Sequence, residues 1–409
     1  MPNENPIPVF MYHTVGIPDN NWSWRHLTCP YEKFEKQLKC LHKRGFETIS
    51  LKELYNYIFE GMKVPPKSLI LTFDYGYSDN WIFAYPIMKK YGMKGTIFVN
   101  PEFADKRDIL RKRIDQVNYP EELDRTDISG FLSWREMKEC ERGGVFDIES
   151  HAMSHTWHPS SDKIIDFRHP GDNYIWMTWN KNMSRKPYLQ FDDPELVNYG
   201  EPVYQFSKSL ESPRYFPNED LSKALVDYVK ENGGQTFFQN NEWRKILFKK
   251  AETLKEIFAP GSYETEIEYR ERVRRELLNS RNIIQEKLEK EIEFLCWPGG
   301  SSTQTGLQIA REVGYKMTTV GRDLDISIRR ELFNIPSEKS DRIARISPFL
   351  YWDGKASKNS KAVYDSGFTI LLKLIQYKSG GITSLGVRIL RKLMKEGCRI
   401  LPISRAKVS

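Results

Sequence analysis

The sequence predicts an α/β protein built on a mainly parallel sheet, and three observations carry that expectation. Over the first 155 residues short apolar runs alternate with helical patterns, the rhythm of βα units. SLILTF, at 68–73, is continuously apolar, as a strand buried on both faces must be. The length of 409 residues suits one large α/β barrel with additions, or two or three domains. With 39% hydrophobic and 13% aromatic residues the chain has material for a sizeable core, so disorder is excluded as its main state. A mean hydropathy of -0.59, and no uninterrupted apolar run of about 18 residues, argue against an integral membrane protein.

PVFMYH, at 8–13, reads as the first strand, and FEKQLKCLHKRG, at 34–45, as a helix closed by glycine. Ser50 and Glu53 form a capping box for LKELYNYIFEG. SLILTF follows, then a helical segment from Asp79 to Tyr91 that crosses Pro86, then the strand GTIFVN at 95–100. Ser133 and Glu136 cap the next helix, and VFDIE at 145–149 is another strand. From 156 to about 262 the rhythm breaks in a stretch rich in Trp, Tyr, Asn, Pro and Asp, which reads as an insertion. Regularity returns with an amphipathic helix at 264–290, the strand EIEFLCW, a helix near 304–313, and the strands YKMTTV and IARIS (343–347).

Five cysteines, odd in number, widely spaced and never paired as CxxC, read as free thiols and disfavour both a disulfide framework and a thiolate zinc site. The start, MPNENPIPVFMYHTV, has no cationic stretch before an apolar segment, so a cytoplasmic chain is expected. The net charge is +7, and it is concentrated: residues 373–409 carry nine Lys or Arg against the single acid Glu396. In GVRILRKLMKEG, Leu390, Leu393 and Met394 alternate with Arg388, Arg391, Lys392 and Lys395. Such a helix can lie on an anionic membrane, each basic residue adding about 1 kcal/mol. The plainer expectation is a helix packed on the fold with a solvated basic side. Nucleic acid is not an expected partner, because the basic tail lacks interleaved aromatics.

The chemistry concentrates at two strand ends. LTFDYGYSDN, at 71–80, sets Asp74 at the C-terminal end of a buried strand, where α/β barrels gather catalytic groups. SHAMSHTWHP, at 150–159, offers His151 and His155 four residues apart. On one helical turn that spacing faces two imidazoles the same way and suits a divalent ion. All seven histidines lie between His13 and His169.

TFDYG, HAMSH and CWPGG, in this order and with βα spacing, resemble the motifs of the polysaccharide deacetylase (NodB-homology) family, carbohydrate esterases that remove N- or O-acetyl groups from glycans. The supporting matches run from PVFMYH to about Ser347, interrupted by the insertion. The resemblance implies a deformed (β/α) barrel of about seven strands over 1–355, with the insertion at about 156–262 and a basic C-terminal helical extension over 356–409. It implies a divalent ion, zinc foremost with cobalt or nickel as alternates, and removal of an acetyl group from an N-acetylated sugar in a glycan or glycolipid. Asp74 matches the general base and His151 and His155 match the metal histidines. Tyr75 stands where the family has an aspartate ligand. A neutral phenol with an ordinary pKa near 10 is a poor substitute for a carboxylate. Three readings stay open: a weaker site completed by water or by Asp79 or Glu149; a non-catalytic relative that still binds glycan; or an aspartate lost by engineering or drift. With no histidine after His169, the acid histidine resembles that of the permuted exopolysaccharide-deacetylase branch, whose first-strand Y-H matches Tyr12-His13, so His13 is the candidate acid. Trp297 and Pro298 of CWPGG, and Trp134 of LSWREM, match cleft-lining and recurrent family positions that could contact a sugar; Arg345 and His158 are weaker candidates. Membrane contact through 373–409 would make a lipid-linked glycan at the inner face of the membrane the substrate.

Overall fold

The computed structural model of the chain describes residues 4–18, 27–123, 130–182, 185–186, 196–320, 332–352 and 362–378. Seven parallel strands make the ring of the sheet: β1 (Val9–Tyr12), β2 (Ser68–Tyr75), β3 (Gly95–Val99), β4 (Phe146–Ser150), β5 (Phe294–Leu295), β6 (Met317–Thr319) and β7 (Arg342–Ile343), and an eighth short strand, Glu47–Thr48, pairs in parallel with the start of β2. They pair in chain order around the ring. The ring closes just beyond β7, where Ile346 N donates to Val9 O at 2.8 Å and Met11 N donates to Ile346 O at 2.9 Å. Closure satisfies the backbone groups that an edge would expose. All eight residues of β2 are buried, as its apolar run predicts, whereas β5 has only two residues; the barrel is deformed.

Helices cover the strands in the expected βα alternation: α1 (Tyr31–His42), α2 (Leu51–Phe59), α3 (Tyr85–Lys90) and α4 (Trp134–Arg142). Ser50 accepts from Glu53 N and Ser133 from Glu136 N, and each glutamate returns to its cap, so both capping boxes exist as read. The segment that crosses Pro86 begins as a π-turn at Asn80–Ala84, which leaves Pro86 in the first turn of α3, where its missing N–H has no partner to lose.

After β4 the chain leaves the barrel. It forms an antiparallel ribbon, Trp157–Phe167 against Pro202–Lys208, with α5 (Ile175–Lys181) between the two strands, and then α6 (Glu219–Glu231) and α7 (Trp243–Lys255). Phe167, Leu225, Val229 and Leu247 give this part its own apolar cluster. The long helix α8 (Glu266–Leu288), opened by a Thr265/Glu268 capping box, returns to the barrel and packs Val273, Leu277 and Ile284 into the main core. Helix α9 (Gln304–Glu312) lies between β5 and β6, and α10 (Phe368–Lys378) follows β7.

Helix α10 agrees with the plainer expectation of a helix packed on the fold. Lys373, one of the nine basic residues counted in the tail, is buried and donates to Ser347 O and Phe349 O. Ile370 and Leu374 are buried on the main core, so the basic segment starts as a docked helix. Residues 379–409, with Leu390, Leu393 and Met394, lie outside the described residues. Among the described residues no helix is long and apolar enough to cross a membrane, and Cys29, Cys40, Cys140 and Cys296 are free thiols.

Candidate active site

Asp74 is the penultimate residue of β2, buried at the C-terminal mouth of the barrel. Arg345 lies one residue before the Ile346 that closes the ring, so closure itself delivers the guanidinium to the carboxylate. Nη1 donates to Asp74 Oδ1 at 2.6 Å and Nη2 to Oδ2 at 3.0 Å, a bidentate fork. The same guanidinium donates to Thr72 Oγ1 at 3.3 Å and to Cys296 Sγ at 3.1 Å. Burial pushes the Asp74 pKa up, but Arg345, with smaller help from His151 and His13, pushes it further down, well below the usual carboxylate range. His13 follows β1, whose Tyr12 is in register with Phe73, and its ring centroid is 5.6 Å from that of Tyr75. Asp74 and His13 are therefore neighbours, as read from the sequence.

His151 is the first residue past β4. Its amide donates to Val99 O at 2.8 Å, and Asn100 Nδ2 holds the carbonyls of His151 and Ala152 at 2.5 and 3.2 Å. Ala152 has φ 58, in the left-handed region, so the expected helical turn does not form; His151 and His155 instead share an irregular loop. The loop still brings the two imidazoles together, with ring centroids 5.8 Å apart. His151 Nδ1 donates to Cys296 O at 2.8 Å. A carbonyl only accepts, so the Nδ1 proton is fixed and Nε2 carries the lone pair. That Nε2 has no hydrogen-bond partner, and the residue is 1% exposed. Burial, opposed by Asp74, pushes the His151 pKa down to about 4.

Tyr75 occupies the middle of this group. It too is left-handed, at φ 78, and its ring centroid lies 5.1 Å from His151 and 4.9 Å from His155. Tyr75 Oη and His155 Nε2 share a hydrogen bond of 3.0 Å. Burial, then His151 and Lys186, push the His155 pKa well below the ordinary value. The three-donor set implied by the resemblance, His151, His155 and position 75, therefore does not fit a cation: its third member is a neutral phenol that already engages Nε2 of its second. Nor do the oxygens considered as replacements complete it. Glu149 accepts from Glu293 N at 3.0 Å and Phe294 N at 2.9 Å, which commits it to the start of β5. Asp79 Oδ1 accepts from Asn80 Nδ2 at 3.1 Å, and its Oδ2 packs against Gly16. Among the described residues the group of donors that does converge is Asp74, His151 and Cys296.

The candidate sugar contacts fare differently. Trp297 is 1% exposed and belongs to the main core, so its faces are covered by protein and it packs the barrel mouth instead of presenting a stacking surface. Pro298 lies with His155 and Lys208 along a narrow crevice next to the histidine loop. Trp134 opens α4 and packs against the main core. His158 is buried in the ribbon, its pKa pushed down to about 4 by burial, Arg272 and Arg214, with Glu264 beside it. Those neighbours place it away from the Asp74 group.

What the sequence reading missed is the roof. The insertion lays Trp157 against His155, ring centroids 4.9 Å apart, and packs Ile175, Trp176, Met177 and Trp179 around Tyr75 and Tyr77. Lys186 is fully buried there, 3.3 Å from Glu102. The aromatic richness of 156–262 was the available signal. Cys296 had one as well, since CWPGG directly follows β5 as Asp74 ends β2.

A family model for polysaccharide deacetylase matches residues 61–169 and 215–318. YxkH of Bacillus subtilis (strain 168), a protein assigned to the polysaccharide deacetylases, is 33% identical over 149 residues, 36% of this chain and 43% of that one. The chain thus matches less than half the length of that relative. The poly-beta-1,6-N-acetyl-D-glucosamine N-deacetylase of Staphylococcus aureus (strain MSSA476) is 25% identical over 239 residues, 53% of this chain and 76% of that one. Among solved structures, a de-N-acetylase from Aggregatibacter actinomycetemcomitans superposes with a TM-score of 0.50 at 15% identity, covering 90% of this chain and 99% of that one, a likeness of fold.

Proposed function

This chain belongs to the polysaccharide deacetylase family, whose model matches more than half of it, and from that premise we propose that it hydrolyses the acetamide of an N-acetylated sugar in a glycan or lipid-linked glycan. The observation that carries the reading is the buried Asp74–Arg345 pair at the barrel mouth, with His13 on the neighbouring strand. An ionised carboxylate held by two hydrogen bonds cannot rotate away, which fixes the direction from which it takes a proton. Water adds to the acetyl carbonyl carbon and gives its proton to Asp74. The C–N bond then breaks as the leaving nitrogen takes a proton from His13, which yields acetate and a free amine. The guanidinium that aims Asp74 also weakens it as a base, so placement contributes more than basicity. In this family a bound divalent ion, zinc first, polarises the carbonyl and acidifies water; the donor set at position 75 does not fit it.

The Tyr75–His155 hydrogen bond favours a second reading, a chain that keeps the family fold but turns over little. Acetate release from an N-acetylglucosamine oligomer, measured for the wild type and for Tyr75→Asp with zinc supplied, separates the two. Release by the wild type supports the hydrolase. Release by Tyr75→Asp alone supports the impaired chain. Release by neither contradicts both.

A further inference from the structure

The insertion carries a hollow of its own, whose lining shares no residue with the Asp74 group. An open groove of about 500 Å³, a size that suits a small ligand, runs along one face of α6. Glu219, Ser222, Val226 and Lys230 follow one another at steps of three or four residues, so they share that face and make one wall. At the helical rise the wall is about 16 Å long. Arg214 and Phe216 line the groove beside the start of α6. Asn198 and Glu201 line it toward the other end, where a Cβ on Gly200 would stand 2.6 Å from Val229 Cγ2. Phe216 is the apolar feature on offer. It pairs with Ser262 in a short antiparallel ribbon whose neighbouring Tyr215 is buried in the insertion's core, yet its own side chain is 41% exposed. The Arg214 guanidinium lies over the ring, 5.0 Å from its centroid, which fixes a flat aromatic surface beside a fork of N–H donors.

We propose that this groove is a second glycan-binding subsite, which holds a more distant stretch of the same sugar chain whose acetamide is presented at the barrel mouth. The charges in the groove balance, with Glu201, Glu219 and Asp227 against Arg214, Lys223 and Lys230. Such a lining gives no net attraction to a nucleic acid, an anionic lipid or a strongly charged peptide. It offers instead closely interleaved donors and acceptors around one flat ring. A pyranose matches both, since its C–H face covers an aromatic ring while its hydroxyls and acetamide meet polar walls. The Arg214 end of the groove is also tied to the mouth. Arg214 N donates to Glu264 Oε2 at 2.9 Å, and Arg272 of α8 grips the same carboxylate at 2.7 and 2.8 Å. Arg272 Nη1 donates to Ser209 O at 2.6 Å, and Lys208, the residue before it, lines the crevice beside His155. Groove and mouth therefore keep a fixed spacing, and a chain long enough to reach both gains affinity because its second contact is made within one complex.

The subsite takes its class of sugar from the hydrolase reading but not its test, which reads binding. The full chain is titrated with an N-acetylglucosamine hexamer by saturation-transfer NMR, which detects contact with the sugar whether or not it is turned over, and acetate is followed separately. Phe216→Ala should weaken hexamer binding by about tenfold, the worth of one stacked ring, and Phe216→Trp should restore it. Tyr119→Ala, which removes an exposed aromatic outside the groove, should leave the affinity unchanged. Circular dichroism checks that each variant is folded, and if Phe216→Ala is not, Arg214→Gln repeats the measurement. Equal affinity in the wild type and Phe216→Ala overturns the subsite, as does the same loss in Tyr119→Ala, or a wild type that binds no hexamer. Binding that depends on Phe216 in a chain that releases no acetate keeps the subsite and loses the hydrolase reading. Acetate release with the same affinity and KM for the hexamer in the wild type and Phe216→Ala does the reverse.

Discussion

At the scale of the residue, the Asp74–Arg345 pair makes the sharpest claim. Both side chains are out of water, at 5% and 10% exposure, and each leaves a charge behind if the other is removed. Arg345→Met should therefore destabilise the chain by about 3–5 kcal/mol, and the double variant Asp74→Asn/Arg345→Met by clearly less, because the double change buries no orphan charge. Equilibrium urea unfolding of the three chains reads this directly; equal losses in single and double variants would deny the coupling. Much of this site was legible from residue type and strand position. Asp74, His151, His155 and His13 do come together, and Tyr75 was visibly out of place. Arg345 was only a weak candidate, because its partner Asp74 is reached across the closing seam, and spacing in one chain does not encode that contact.

At the scale of the element, strands and capping boxes followed from local rules, while the histidine loop did not. Ser50/Glu53, Ser133/Glu136 and the run SLILTF each settle their own neighbourhood. HxxxH spacing is shared by helices and loops, and a left-handed Ala152 decides for the loop. The turn after β2 is equally specific. Gly76 has φ +76, and a Cβ there would stand 2.7 Å from Val99 Cγ1. Gly76→Ala combines the cost of a left-handed side chain with overpacking and should lose about 2–3 kcal/mol; a loss below about 0.5 kcal/mol would mean the turn relaxes freely. The seam between β7 and β1 depends on the Ile346 amide. Ile346→Pro removes that donor from a closed ring and should cost about 3 kcal/mol or more in thermal or urea unfolding.

At the scale of the whole molecule, burial of histidines sets an acid limit. His151 and His158 both have folded pKa values near 4, against about 6.5 in an unfolded chain. Between these values the unfolded chain binds protons that the folded chain refuses, so stability falls as pH drops from about 6.5 to 4. Asp74, with its pKa lowered, adds stability above about pH 4 that is lost only at still lower pH. Urea midpoints across pH 4 to 7 should fall steeply, and His158→Asn should flatten the curve; a flat wild-type profile would contradict the buried neutral imidazoles. The fold class read from βα rhythm matches the seven-stranded ring, while the aromatic roof could only be suspected as an irregular insertion. For the basic tail, liposome flotation of the full chain against a chain ending at 378 tests the proposed membrane contact, with co-flotation on anionic vesicles expected only for the full chain. The most direct test of the central claim is acetate release from an N-acetylglucosamine oligomer by the wild type and by Asp74→Asn. The Asp74–Arg345 centre predicts measurable release by the wild type and a fall of at least about 100-fold in the variant; equal release by both, or none by either, would contradict it.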